Sequence, residues 1–352
     1  MPQWFSRAVH RLSGTTFKLI LLVAGFLVLW GMLAPVNTIV WWLNQNAESL
    51  GLELEDEAET PDVLLQPTTA PSDAAIDCYI VFLPGVGNFS PDEITEGERY
   101  FIDTLAARHA NCVAVRDVFP YSVRNQDLGR QRFLAPLWQA AKDTESFAYV
   151  FVQIRNLWRF AISADDRYGP VYNLGIARTI VDRMNAAHPI VRSDRPINLI
   201  LLSTSGGTQV ALGATAHLRE WINNARITVI SLGGTFEGRA GFNDVNHLYH
   251  LYGDRDWVAQ LPRIIFPARW RWTVGSPVNE AREEGRYTVC NTGNQEHSGS
   301  EGYFGEAVAV GHTSYLEQTL EQVDRLPIWS VDQPLASECP LQKRSSHATT
   351  LK

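Results

Sequence analysis

The segment Ile197–Leu202 (INLILL) constrains the fold more than any other, because five of its six residues are apolar and they do not alternate with polar ones. A strand with one wet face alternates, so this one is covered on both faces, as in a parallel sheet packed between helices. Cys78–Leu83 (CYIVFL) has the same character, and further segments that read as strands occur at Cys112–Val118, Tyr149–Ile154, Ile227–Ser231, Leu248–Tyr252 and Tyr287–Val289. Helical spacing of apolar residues separates them, over Ile94–Ala110, Phe133–Ala141, Val171–Ala187, Gly206–Asn223 and Tyr315–Val323. The alternation predicts an α/β domain from Cys78 to Trp329, with a mostly parallel central sheet in a three-layer α/β/α arrangement. Arg155–Pro170, aromatic and charged together, departs from it and reads either as a loop shaping a ligand site or as a packed connection.

The N-terminal part of the chain has a different composition. Leu19–Val36 carries no ionisable side chain, and apolar character resumes through Ile39–Leu43, so residues 17–43 are long enough to cross a bilayer as a helix. Arg7, Arg11 and Lys18 precede this run, which places residues 1–16 in the cytoplasm and everything beyond Leu43 on the other side. An uncleaved anchor is expected rather than a signal peptide, because the run exceeds a typical signal core and no small-x-small cleavage site follows it. Residues 44–77 hold nine acids and no Lys or Arg, together with Thr/Pro-rich stretches, and read as an extended stalk; residues 330–352 read as a polar tail. The net charge of −8 therefore divides into +3 before the apolar run, −9 on the stalk and −2 on the remainder. A nearly neutral domain does not suit nucleic acid, which requires a basic surface.

The four cysteines, Cys78, Cys112, Cys290 and Cys339, allow three disulfide pairings in an exported domain, and none lies in a Cys-x-x-Cys zinc or redox motif. Gly85-Val86-Gly87 has Ser90 where a dinucleotide loop needs its third glycine, and no Gly-Lys-Ser/Thr phosphate loop occurs. No cofactor and no metal is expected.

The residues with chemical promise follow the strongest strand, in Ser203-Thr204-Ser205-Gly206-Gly207-Thr208. A nucleophile held on a tight turn between strand and helix needs small residues two before and two after it. Ser205 has Ser203 and Gly207 in those places, whereas Ser203 would have Leu201 in the first. In this respect the chain resembles the α/β-hydrolase superfamily, with Ser203 replacing the first glycine of Gly-x-Ser-x-Gly.

The resemblance implies a chain order of nucleophile, acid, histidine. Gly253-Asp254-Arg255-Asp256-Trp257-Val258 looks like the acid turn, with Asp256 in the acid's place and Asp254 as the alternative. Gly311-His312-Thr313, directly before the helical Tyr315–Val323, makes His312 the expected histidine; His297, in a Gly/Ser-rich loop, is its competitor, and His247 and His250 belong to strand faces. The oxyanion donors would be the backbone N–H groups of Gly206 and Val86. The implied activity is hydrolysis of carboxylic esters through an acyl-enzyme by a membrane-anchored enzyme. Trp158, Phe160, Trp270 and Trp272 hint at an apolar acyl-binding face and a lipid-like substrate. The same fold also hosts acyltransferases and non-catalytic binding domains, which are the rival readings.

Overall fold

The computed structural model describes residues 61, 64, 76–125, 147–190, 196–309 and 312–340. The apolar run 17–43, most of the acidic segment 44–77, the helix expected over Phe133–Ala141 and residues 341–352 lie outside the described residues. The elements in chain order are β1 (Cys78–Leu83), α1 (Glu96–Arg108), β2 (Cys112–Val115), α2 (Phe147–Ala164), α3 (Gly169–Ala187), β3 (Ile197–Thr204) and α4 (Gly207–Trp221). They continue with β4 (Ala225–Leu232), β5 (His247–Tyr252), α5 (Pro262–Ile265), a 3-10 turn (Pro267–Arg269), α6 (Pro277–Glu283), β6 (Tyr287–Asn291) and α7 (Tyr315–Asp324).

The six strands form one all-parallel sheet in the order β2-β1-β3-β4-β5-β6. Every residue of β1 and β3 is buried, the polar Asn198, Ser203 and Thr204 of β3 included, as strands covered on both faces require. On one face Ile80, Phe82, Ile200, Leu202, Ile230 and Leu251 pack with Phe101, Ile102 and Leu105 of α1 and with Leu320 and Val323 of α7. The other face carries Ser203, Ser231 and His250, which lie in register across β3, β4 and β5. Thr208 of α4 covers them, its hydroxyl 3.0 Å from that of Ser203 and 3.2 Å from that of Ser231. Two of the helices start with sequence-encoded caps: Thr95 with Glu98 on α1, and Ser314 with Glu317 on α7, form reciprocal capping boxes.

Tyr149–Ile154, expected as a strand, lies within the 18-residue helix α2. Its aromatic and β-branched residues suit a strand locally, but burial recurs at Val152, Arg155, Asn156, Phe160 and Ser163, at helical spacing. The segment Arg155–Pro170, expected to form a loop, supplies the rest of α2 and the start of α3. The short helices α5 and α6 between β5 and β6 had no counterpart in the sequence reading. Residues 330–340, expected as part of a loose tail, are tied to the sheet. The Arg226 guanidinium donates to the carbonyls of Ser330, Val331 and Gln333, and Cys339 is bonded to Cys290.

The second disulfide joins Cys78 to Cys112, which are register partners at the start of β1 and β2. Strand pairing thus selects one of the three pairings that the sequence left open. The strand order reverses between β1 and β3, the chain having gone out to β2 and returned. In parallel sheets the crevice beyond the carboxyl ends at such a reversal is where ligands bind. Leu83 of β1 is level with Ser203 of β3, so the turns that follow the two strands emerge side by side.

Candidate active site

Ser205 follows β3 directly and has φ +47°, a left-handed conformation that costs a non-glycine residue about 1 kcal/mol or more. The turn is held from both sides. The Ser205 N–H donates to the Leu232 carbonyl at 3.4 Å, and its own carbonyl accepts from the N–H groups of Thr208 and Thr235 at 3.2 and 2.9 Å. The need for a small residue two positions on is visible at Gly207, where a Cβ would lie 2.4 Å from the Leu83 carbonyl oxygen and 2.5 Å from that of Pro84. Two positions before, the buried Ser203 is accommodated because its hydroxyl donates to the Ile230 carbonyl at 3.1 Å.

The Ser205 hydroxyl lies 3.1 Å from Nε2 of His297. Nδ1 of the same ring is 2.9 and 3.0 Å from the two oxygens of Asp256. Asp256 is fully buried on the turn after β5 and accepts two further hydrogen bonds, from the Tyr303 hydroxyl at 2.6 Å and the Ala259 N–H at 2.9 Å. Burial alone raises the pKa of this carboxyl. The hydrogen bond and electrostatic attraction of the His297 ring, with the Tyr303 and Ala259 bonds, outweigh burial and hold it below its ordinary value. The Tyr303 hydroxyl is pushed the other way, by its own burial and by the Asp256 charge, so it stays a donor. It also accepts from the Gly253 N–H at 3.1 Å, which ties the two ends of the acid turn together. Gly233 has φ +57°, and a Cβ there would come within 2.5 Å of both the Asp256 carboxylate and the Tyr303 ring.

The histidine that joins Ser205 and Asp256 is His297, and this corrects the expectation for His312. His312 is exposed, with φ +71°, two residues before Ser314, which bridges to Val308. The helix that follows His312 is real but does not carry it to the serine. What matters is the loop directly after β6, because β6 pairs with β5 and its loop therefore lies against the acid turn. That loop is fastened at several points. The Asp254 N–H donates to the Gly293 carbonyl and the Arg255 N–H to that of Gln295. The Arg255 side chain pairs with Glu296 and Glu301 on either side of His297. The buried Gln295 donates to the Tyr315 carbonyl and the Thr319 hydroxyl of α7, at 3.1 and 2.7 Å.

Asp254, the alternative acid, is exposed and accepts from Asn291. His250 and His247, three residues apart on opposite faces of β5, contact Ser231 and Thr288. Burial lowers both imidazole pKa values, that of His247 to about 4.

Val86 and Gly206 come together beside the serine, a Cβ on Gly206 being only 2.8 Å from the Val86 side chain. Neither N–H has an acceptor among the described residues. The Val86 turn is held by a residue that sequence reasoning missed. Asn156 of α2, fully buried, donates from Nδ2 to the Val86 carbonyl at 2.9 Å and to the Asn88 carbonyl at 2.8 Å. Its Oδ1 accepts from the Arg155 guanidinium at 2.8 Å. Arg155 is itself buried, which brings its pKa down to about 9, and its charged donor fixes which way the amide of Asn156 points. The only sequence signal for this clamp was the polar pair Arg155-Asn156 inside an apolar stretch.

The arrangement is a serine hydroxyl, an imidazole and a buried carboxylate in line, with the Val86 turn packed against Gly206, the residue after the serine. It can move a proton off the serine and stabilise the imidazolium that results. No protein-family model matches the chain, and no curated protein matches it.

Proposed function

We propose that this chain is a serine hydrolase of the α/β-hydrolase type, cleaving carboxylic esters through an acyl-enzyme. The observation that carries the reading is the continuous line from Ser205 to His297 to Asp256, with the serine at a left-handed turn after a buried strand. The strand context adds support. Nucleophile, acid and histidine follow β3, β5 and β6 in the order the superfamily uses, and all lie beyond the carboxyl ends of the sheet.

In this mechanism the Ser205 oxygen attacks the ester carbonyl carbon as its proton passes to Nε2 of His297. Asp256 holds the imidazole through Nδ1 and offsets its positive charge, and Tyr303 and the Ala259 N–H keep the carboxylate ionised and aimed. The carbonyl oxygen, now an oxyanion, accepts from the Gly206 and Val86 N–H groups. The intermediate collapses by expelling the alcohol, which takes the proton from His297. Water, deprotonated by His297, then releases the acid and restores Ser205. A lipid-derived ester is the proposed substrate, met outside the cytoplasm by a domain tethered through residues 17–43. Two disulfides support that compartment, because such bonds persist in oxidising surroundings.

A fluorophosphonate probe tests the assignment. Wild type is labelled and Ser205→Ala is not; His297→Ala labels slower by on the order of 1,000-fold or more, and His312→Ala labels at the wild-type rate. Equal labelling of wild type and Ser205→Ala, or equal losses in the two histidine variants, overturns it. Detecting free acid as product from an ester panel separates hydrolysis from acyl transfer.

A further inference from the structure

Between β5 and β6 the chain makes an excursion, residues 257–279, that holds Arg263, Arg269 and Arg271 and no Asp or Glu, in a chain of net charge −8. Of the nine large hydrophobic side chains exposed among the described residues, five lie here. Val274 is 97% exposed, Trp272 75%, Ile264 70% and Trp257 66%.

The excursion is braced, so its outward side chains are presented rather than loose. Trp270 donates from Nε1 to the Ile264 carbonyl at 3.3 Å, and Asn279 donates to the carbonyls of Trp270 and Thr273 at 2.8 and 3.3 Å. Arg269 is used internally, its guanidinium 3.9 Å from the centre of the Phe236 ring. Arg263 and Arg271 remain exposed among the apolar side chains.

Exposed indoles and aliphatics interleaved with guanidinium groups match a bilayer interface. Indoles settle at headgroup depth, aliphatics enter the acyl boundary, and arginines pair with lipid phosphates. The absence of any carboxylate across these residues removes the repulsion an anionic surface would otherwise meet. The excursion also borders the Ser205 site. Trp257 follows Asp256 directly, and Phe266 lies 6.3 Å from Phe160, whose ring edge is 3.4 Å from where a Cβ on Gly206 would sit.

We propose that the excursion is a membrane-contact surface, which lays the domain on an anionic bilayer with the mouth of the Ser205 site toward the headgroups. This contact deepens the lipid-ester reading but does not depend on the serine's chemistry, so the two can fail separately.

The test uses the full chain with vesicles of phosphatidylcholine, with and without phosphatidylglycerol. All four native cysteines are in disulfides, so Val274→Cys offers a single thiol for an environment-sensitive fluorophore. Glu220→Cys, near the far end of α4 and roughly 20 Å further from the site along that helix, is the control. Labelled at 274, the protein should shift to the blue and be quenched by doxyl lipids when phosphatidylglycerol is present, while label at 220 reports water. Arg263→Gln and Arg271→Gln should each lower the docked-to-free ratio roughly five-fold. Doxyl quenching at 274 no greater than at 220 overturns the proposal. A blue shift that follows protein concentration and ignores lipid also overturns it, by identifying a second copy as the occupant. Probe labelling of Ser205 in the same samples reports the catalytic reading independently.

Discussion

Replacing Asn156 by alanine isolates the clamp on the Val86 turn without touching the serine, imidazole or carboxylate. The substitution removes two hydrogen bonds to buried or half-buried carbonyls, at about 1 kcal/mol each. It also removes the acceptor of the Arg155 guanidinium, a charged bond of about 1.5–3 kcal/mol at a residue only 7% exposed. The expected loss of stability is therefore about 3.5–5 kcal/mol, read as a lower urea midpoint at unchanged slope. Under the proposed serine-hydrolase mechanism, catalysis suffers separately. With the Val86 and Asn88 carbonyls released, the turn that carries the Val86 N–H can shift and take that donor away from the oxyanion. Loss of one such donor bounds the effect at about 100- to 1,000-fold in kcat. Because that bond forms only in the transition state, kcat and kcat/KM should fall together while KM stays near the wild-type value. Asn156→Asp keeps an acceptor for Arg155 but sets a carboxylate oxygen against the two carbonyls in place of the N–H donors, so it should not recover kcat. The two variants are assayed for ester hydrolysis at a temperature where each remains folded. An alanine variant with wild-type kcat but a lowered midpoint would show that the clamp serves folding alone and refute the reasoning.

Two further substitutions probe other parts of the site. Tyr303→Phe removes a 2.6 Å donor to a buried carboxylate and should cost about 1.5–3 kcal/mol at neutral pH. Asp256 has a depressed pKa in the fold, so its contribution to stability is present above the unfolded value of about 3.9 and fades as pH falls. Losing the Tyr303 bond lessens that depression. Acid titration followed by circular dichroism should therefore show less of the low-pH stability loss arising from Asp256, and a variant whose difference from wild type is the same at pH 7 and pH 3 would contradict the assignment. Gly207→Ala is expected to destabilise by about 1–3 kcal/mol, since its Cβ meets two backbone carbonyl oxygens that cannot move without shifting β1; a rise in melting temperature, the usual result of Gly→Ala in a helix, would refute the close-approach argument.

Local requirements were legible before the structure. A strand covered on both faces must be apolar throughout, and β1, β3 and β4 stand where their composition placed them. The turn at Ser205 was readable because its demand is steric and short-ranged: Ser203 and Gly207 must be small wherever the rest of the chain goes. The strand expected at Tyr149–Ile154 failed for the converse reason. Five apolar residues in a run of six satisfy either a strand or a helix turn, and only burial continuing to Phe160 and Ser163 decides between them.

By itself, then, the sequence determined a parallel α/β sheet and a serine on a tight turn at the end of its strongest strand. The tertiary structure decided which histidine meets that serine, which asparagine holds the facing loop and which cysteines pair. These are contacts between residues 92, 70 and 34 positions apart, for Ser205 with His297, Asn156 with Val86 and Cys78 with Cys112. No local pattern encodes such a distance. The pairing of β5 with β6 brings the His297 loop against the acid turn, and the register of β1 with β2 aligns the first cysteine pair. The helix behind His312, a sound local signal, does pack on the His297 loop through Gln295, but His312 itself stands exposed before it.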